Sequence, residues 1–119
     1  MSGYVDGYVI PIKKKNIKNY KKMARLGCKS WMSHGALSYF ETVGDDIDTK
    51  WGKNFRQLCK LKSDETVVFA FIVYKSKAHR NKVNAKVQKD MEKYQDKWEM
   101  PFDMKRFTMG GFKTLVGAK

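Results

Sequence analysis

The segment 66–74, TVVFAFIVY, constrains this chain more than any other stretch. It carries no charge and is rich in β-branched and aromatic side chains, the types that fit a pleated strand. Side chains on a strand alternate between its faces, so Val67, Phe69, Phe71 and Val73 share one face and Val68, Ala70, Ile72 and Tyr74 the other. Both faces are apolar. Such a strand belongs inside a sheet, with cover on both sides. It is also far too short for a membrane-spanning helix.

The flanking sequence supplies its neighbours. Residues 4–12, YVDGYVIPI, alternate at period two and read as a strand stopped at Pro11. In 36–43, ALSYFETV, Leu37, Tyr39, Glu41 and Val43 share one strand face, and Ser38, Phe40 and Thr42 the other. A last strand spans about 105–116, where Gly110 and Gly111 read as a bulge or a close backbone approach. Between these lie two helices. The first starts at Asn16 as N-cap, carries the stripe Ile17, Tyr20, Ala24, Cys28 and Trp31, and ends at Gly35 with His34 in its last turn. The second is capped by Ser76, carries Val83, Val87, Met91 and Tyr94, and is broken at Pro101. Residues 44–65 read as a polar loop with strand structure near 55–61.

The resulting order is β-α-β-β-α-β. This is an α+β, ferredoxin-like split βαβ arrangement with an antiparallel sheet, and 1–119 form a single domain of that kind. Right-handed crossovers put both helices on one sheet face and leave the other uncovered by the chain itself. Small aliphatic residues mark Val5, Gly7 and Val9 as the helix side, which leaves Tyr4, Asp6, Tyr8 and Ile10 on the open face. Phe69 and Phe71 share a face of the third strand. Whichever face that is, an open face this aromatic, carrying Tyr4, Tyr8 and Ile10, calls for a partner, most simply a second copy, giving a homodimer and a dimeric α/β barrel.

The stretches YVDGYVIPIKKKNIKNYKKMA, HGALSYFETVGDD, DETVVFAFIVYKSKAHRNKVNAKV and MPFDMKRFTMGGFK resemble the YbaA-like family of uncharacterised bacterial proteins. They cover most of the chain, and the region 49–59 matches least. The family looks like a branch of the dimeric α/β-barrel proteins, where two ferredoxin-like sheets face each other around a cavity. That wider group includes cofactor-free monooxygenases, haem-degrading proteins and isomerase-like enzymes. The resemblance implies fold and dimer and assigns no catalytic residue.

Charge narrows the partners. The chain holds 25 Lys and Arg against 12 Asp and Glu, a net +13, with eight basic residues and no acid between Gly7 and Phe40. Such a field attracts polyanions. Lys18, Lys22, Arg25, Lys82 and Lys86 on the helices are the candidate polyanion-binding set, and weak, salt-sensitive nucleic-acid binding is the alternative function. Against it, Tyr20 and Trp31 fall on the apolar stripe instead of standing exposed for base stacking. No signal peptide or membrane span is apparent, which points to the cytoplasm.

Motif chemistry is sparse. No G-x-S-x-G, Walker A or G-x-G-x-x-G is present, and neither Cys28 nor Cys59 has a base beside it. No cofactor is expected. His34, Glu41, Asp45, Asp46 and His79 lack local ligand spacing, and 46–57 places Trp51 where an EF-hand needs glycine, so no metal is expected either. The open face remains. There Asp6 and Glu41 lie among Tyr8 and Tyr39, with His34 and Arg106 nearby, as a candidate pocket for a small organic molecule between facing sheets. Desolvated carboxylates suit proton transfer. The alternative is hydrogen-bonded pairs with Tyr8, Tyr39 or Arg106 that close the dimer core.

Overall fold

Strand β3 (Glu65–Tyr74) lies between β2 (Ser38–Val43) and β1 (Tyr4–Lys13), as its two apolar faces require. A computed structural model of the chain describes residues 3–94 and 99–118. The sheet is open, has the order β2-β3-β1-β4 and is antiparallel at every pairing, with β4 (Thr108–Lys113) at the second edge. Helices α1 (Ile17–Ser33) and α3 (Lys77–Glu92) pack together across one face of it.

Pro11 does not stop β1, which continues to Lys13. β4 begins only at Thr108, opposite Val9, and does not reach Pro11, so Pro11 is paired with β3 alone and its missing N–H breaks no ladder on the other side. At the end of α1, His34 is the C-cap and Gly35 adopts φ +106°, a left-handed conformation that favours glycine. Asn16 occupies the N-cap position, but its side chain donates to the Pro101 carbonyl at 3.1 Å instead of capping. A 3-10 turn at Lys14–Asn16 leads straight into the helix. Ser76 does cap α3, accepting from the His79 backbone N–H.

One element runs against the sequence reading. The segment near 55–61 is a short helix, α2 (Phe55–Cys59), and not a strand. Asn54 and Gln57 form a capping box there, each side chain satisfying the other's backbone N–H. The last strand is likewise shorter than expected, because a 3-10 turn at Met104–Arg106 precedes it.

The faces of the sheet are also reversed from the expectation. Tyr4, Asp6, Tyr8, Ile10 and Ile12 point under the helices, with Val68, Ala70, Ile72 and Tyr74 from β3. Val5, Gly7 and Val9 lie on the open face. The physical reason is volume. A helix standing on a sheet leaves a thick layer to fill, which the bulky even-numbered residues occupy. Gly7 lies under Phe112, whose ring would be in ordinary van der Waals contact, 3.4 Å, with a Cβ at that position.

Candidate functional site

Alternation in β2 sends Tyr39 and Glu41 under α1, and Phe40 and Thr42 to the open face. Tyr20, in the first turn of α1, points down onto the same spot. Its hydroxyl donates to Glu41 Oε1 at 2.7 Å, and the Tyr39 hydroxyl donates to Glu41 Oε2 at 2.6 Å. Each carboxylate oxygen therefore receives one phenol. Gly27 of α1 permits this, since a Cβ there would stand 2.8 Å from the Tyr39 hydroxyl oxygen and 3.3 Å from the Trp31 ring.

Around the clasp, aromatic rings build the walls of a cavity of about 800 Å³ between the sheet and the helices. Trp31 lies 5.7 Å from Tyr39, Tyr8 5.9 Å from Phe107, and Tyr20 5.9 Å from Phe102, centroid to centroid. Ile10, Ala70 and Ile72 form the floor, and Gln88, Met91 and Glu92 of α3 lie along its other side. The size is that of a site for a small organic molecule.

Burial raises the Tyr20 and Tyr39 phenols far above the ordinary tyrosine range, and the Glu41 carboxylate adds to it. Tyr8 is raised in the same way, by burial first and then by the charges of Asp6 and Glu41. The three phenols thus keep their protons. Among the described residues lining the cavity there is no histidine, cysteine, serine, lysine or arginine. Nor do three His, Cys, Asp or Glu residues gather anywhere among the described residues to hold a metal ion.

The residues singled out from sequence do not share one site. Tyr8, Tyr39 and Glu41 meet in the cavity. Asp6 does not join them. It is fully buried beneath α3, where Arg80 Nε donates at 3.0 Å and Asn84 Nδ2 at 3.3 Å. His34 and Arg106 also stand apart. His34 Nε2 is 2.8 Å from Asp90, whose carboxyl is held low by hydrogen bonds from Ser30 and His34. Arg106 grips the buried Glu65 with two nitrogens, at 2.6 and 3.2 Å, and donates to the Cys59 carbonyl at 2.9 Å. Its task is to fasten the loop before β3. Lys18, Lys22, Arg25, Lys82 and Lys86 are exposed on the helices. Sequence reading assigned Tyr20 and Trp31 to an apolar stripe and so missed them as site residues. The signal was their polar tips, since a buried Tyr or Trp needs a hydrogen-bond partner.

Residues 3–104 match the model of a family described as a protein of unknown function, DUF1428. The chain belongs to this family. Over 113 residues it is 33% identical to the uncharacterized protein YbaA of Escherichia coli (strain K12), covering 95% of this chain and 97% of that one. The identity and coverage are the same for YbaA of Shigella flexneri. Among solved structures, a dimeric ferredoxin-like protein from an uncultured marine organism superposes with a TM-score of 0.63 at 12% identity. It covers 99% of this chain and 100% of its own. That likeness shows a ferredoxin-like fold for this family member. No helix among its described residues is long and apolar enough to cross a membrane.

Proposed function

We propose that this DUF1428 member is a homodimer that binds a small organic molecule in the cavity beneath the helices of each chain. The observation that carries the reading is the cavity itself. Its volume of about 800 Å³ and its aromatic and aliphatic lining, with few polar groups, are what a binding site for such a molecule requires. In this reading the ligand lies on the helix side, and the facing sheets make the dimer contact.

Dimerisation is supported by the open sheet face. Phe40 stacks on Phe71 at 5.2 Å, Phe71 is 6.0 Å from Phe69, and Phe69 is 6.4 Å from Phe55 of α2. Phe40 is 54% and Phe112 62% exposed, too much contiguous aromatic surface for water. A nucleic acid would need cations there, yet Val5, Gly7, Val9, Thr42 and Gly110 between the rings carry none. A second copy of the chain needs none, and the marine neighbour is described as dimeric.

The test is equilibrium binding of the neutral fluorescent probe N-phenyl-1-naphthylamine. Wild type should bind it, Ala24→Phe should push a ring into the cavity and weaken binding, and Phe71→Glu on the open face should retain it. Binding lost in Phe71→Glu but kept in Ala24→Phe would move the site to the sheet face and defeat the reading.

A further inference from the structure

The cavity's charge is at odds with the chain that contains it. The chain carries +13, yet the described residues lining the cavity include two carboxylates, Glu41 and Glu92, and no cation. Glu92 is exposed, while Glu41 lies in the wall. Four carboxylates have cationic or histidine partners: Asp6 has Arg80, Glu65 has Arg106, Asp90 has His34 and Asp48 has Arg56. Glu41 takes part in no ion pair among the described residues. It has only the hydroxyls of Tyr20 and Tyr39.

Those hydroxyls are committed. Each spends its single proton on Glu41, and burial together with that carboxylate keeps both phenols protonated. The clasp therefore offers no donor to an anion. What it leaves available is acceptor capacity, because a carboxylate has about four lone-pair sites and two of these are used. The rings of Tyr8, Trp31 and Tyr39 line the same cavity, and an aromatic face attracts a cation.

Resting on the small-molecule reading above, we infer that the ligand is a protonated amine with an apolar body. Its N–H⁺ would donate to Glu41, its charge would lie against the aromatic faces, and its body would fill the space over Ala70 and Ile72. The ligand would supply the counter-charge that Glu41 lacks among the described residues.

Three molecules of one shape decide the matter. 1-Naphthylmethylamine is a cation at neutral pH, 1-naphthylmethanol is neutral and 1-naphthoate is an anion. Each is used to displace N-phenyl-1-naphthylamine from the full chain at moderate salt. The amine is expected to bind at least about tenfold tighter than the alcohol, a difference of ~1.4 kcal/mol, and the anion weakest. The chain's overall field favours the opposite order, so that field cannot produce this ranking. In Glu41→Gln the amine-to-alcohol ratio should collapse to about one. An amine no tighter than the alcohol, an anion that binds best, or an advantage that survives Glu41→Gln overturns the inference while the pocket stands. If the variant fails to fold, the wild-type ranking alone decides. If neither the neutral probe nor the amine binds, the pocket reading falls, and this inference with it.

Discussion

Asp6 and Arg80, 74 positions apart in the chain, form a 3.0 Å ion pair beneath α3. The carboxylate is fully buried, and the pair anchors a wider network. Asn84 donates to Asp6 and accepts from Trp31 Nε1 and the Tyr74 hydroxyl, both at 3.0 Å. The Arg80 guanidinium lies 5.0 Å above the Tyr4 ring. Gly111 on β4 completes the fit, since a Cβ there would collide with the Tyr4 hydroxyl and Arg80. Every buried polar side-chain atom among the described residues has a partner, so this network reads as structure and not as an idle reactive group.

Asp6→Asn should therefore act on stability. Removing one partner of a buried pair leaves the other charge uncompensated, typically at 3–5 kcal/mol. Arg80 keeps some solvent access, so a loss of about 3 kcal/mol is expected in urea unfolding, with the dimer and probe binding unchanged. Weakened probe binding at unchanged stability would place Asp6 in the site after all.

Glu65 gives a pH dependence of known sign. Hydrogen bonds from Arg106 hold its carboxyl below the ordinary range despite burial. A carboxyl whose folded value is depressed contributes full stability above its unfolded value, and that contribution is lost as pH falls through the folded one. Wild type should thus lose about 2 kcal/mol more than Glu65→Gln between pH 7 and about 3, the scale of a charge-assisted hydrogen bond. Parallel acid-unfolding slopes for the two proteins would contradict this.

Phe71 tests the open face. Two copies of Phe71→Glu would bring carboxylates together across the proposed two-fold, while the helix side of the sheet is untouched. Light scattering should fall from about twice 13.9 kDa to 13.9 kDa, with circular dichroism unchanged. A variant that stays dimeric would put the interface elsewhere.

For the lysines on the outer helix faces, any affinity for single-stranded RNA should be of the counterion-release kind. It should fall steeply between about 50 and 200 mM salt and show no sequence preference. Charge reversal at Lys18, Lys22 and Lys86 should weaken it without altering probe binding.

The elements of this fold were legible because each has a local cause. The period of 66–74, the Ser76 cap and the left-handed Gly35 act within a few residues, and they set β3, α3 and the end of α1. What was not legible depends on distant partners. Asp6 looked like an open-face carboxylate because Arg80 and Asn84, which neutralise it, lie on another element. Size misled in the same way: Val5 and Gly7 look like core until Phe112 is known to cover Gly7. Tyr8, Tyr39 and Glu41 were found as a group, but on the wrong side of the sheet, because one reversed face carries every residue on it. α2 was missed since its cause, the Asn54–Gln57 box, is only one turn long.

Gly27 offers the sharpest link between backbone and site. It is buried in α1, and its missing side chain is the space that the Tyr39 hydroxyl occupies on its way to Glu41. In an exposed helix, Gly→Ala would stabilise by roughly 1 kcal/mol through helix propensity. Here the added methyl meets that hydroxyl oxygen at 2.8 Å and the Trp31 ring at 3.3 Å, so one of them must shift. Overpacking of this kind costs about 1–3 kcal/mol, which should outweigh the propensity gain and leave the variant less stable in thermal melts. Displacing Tyr39 also breaks its bond to Glu41, so probe affinity should fall along with stability. Gly27→Ala with Tyr39→Phe removes the colliding oxygen and should recover much of the stability, but not the clasp. A Gly27→Ala protein more stable than wild type would mean that Tyr39 does not rest where the clasp requires it.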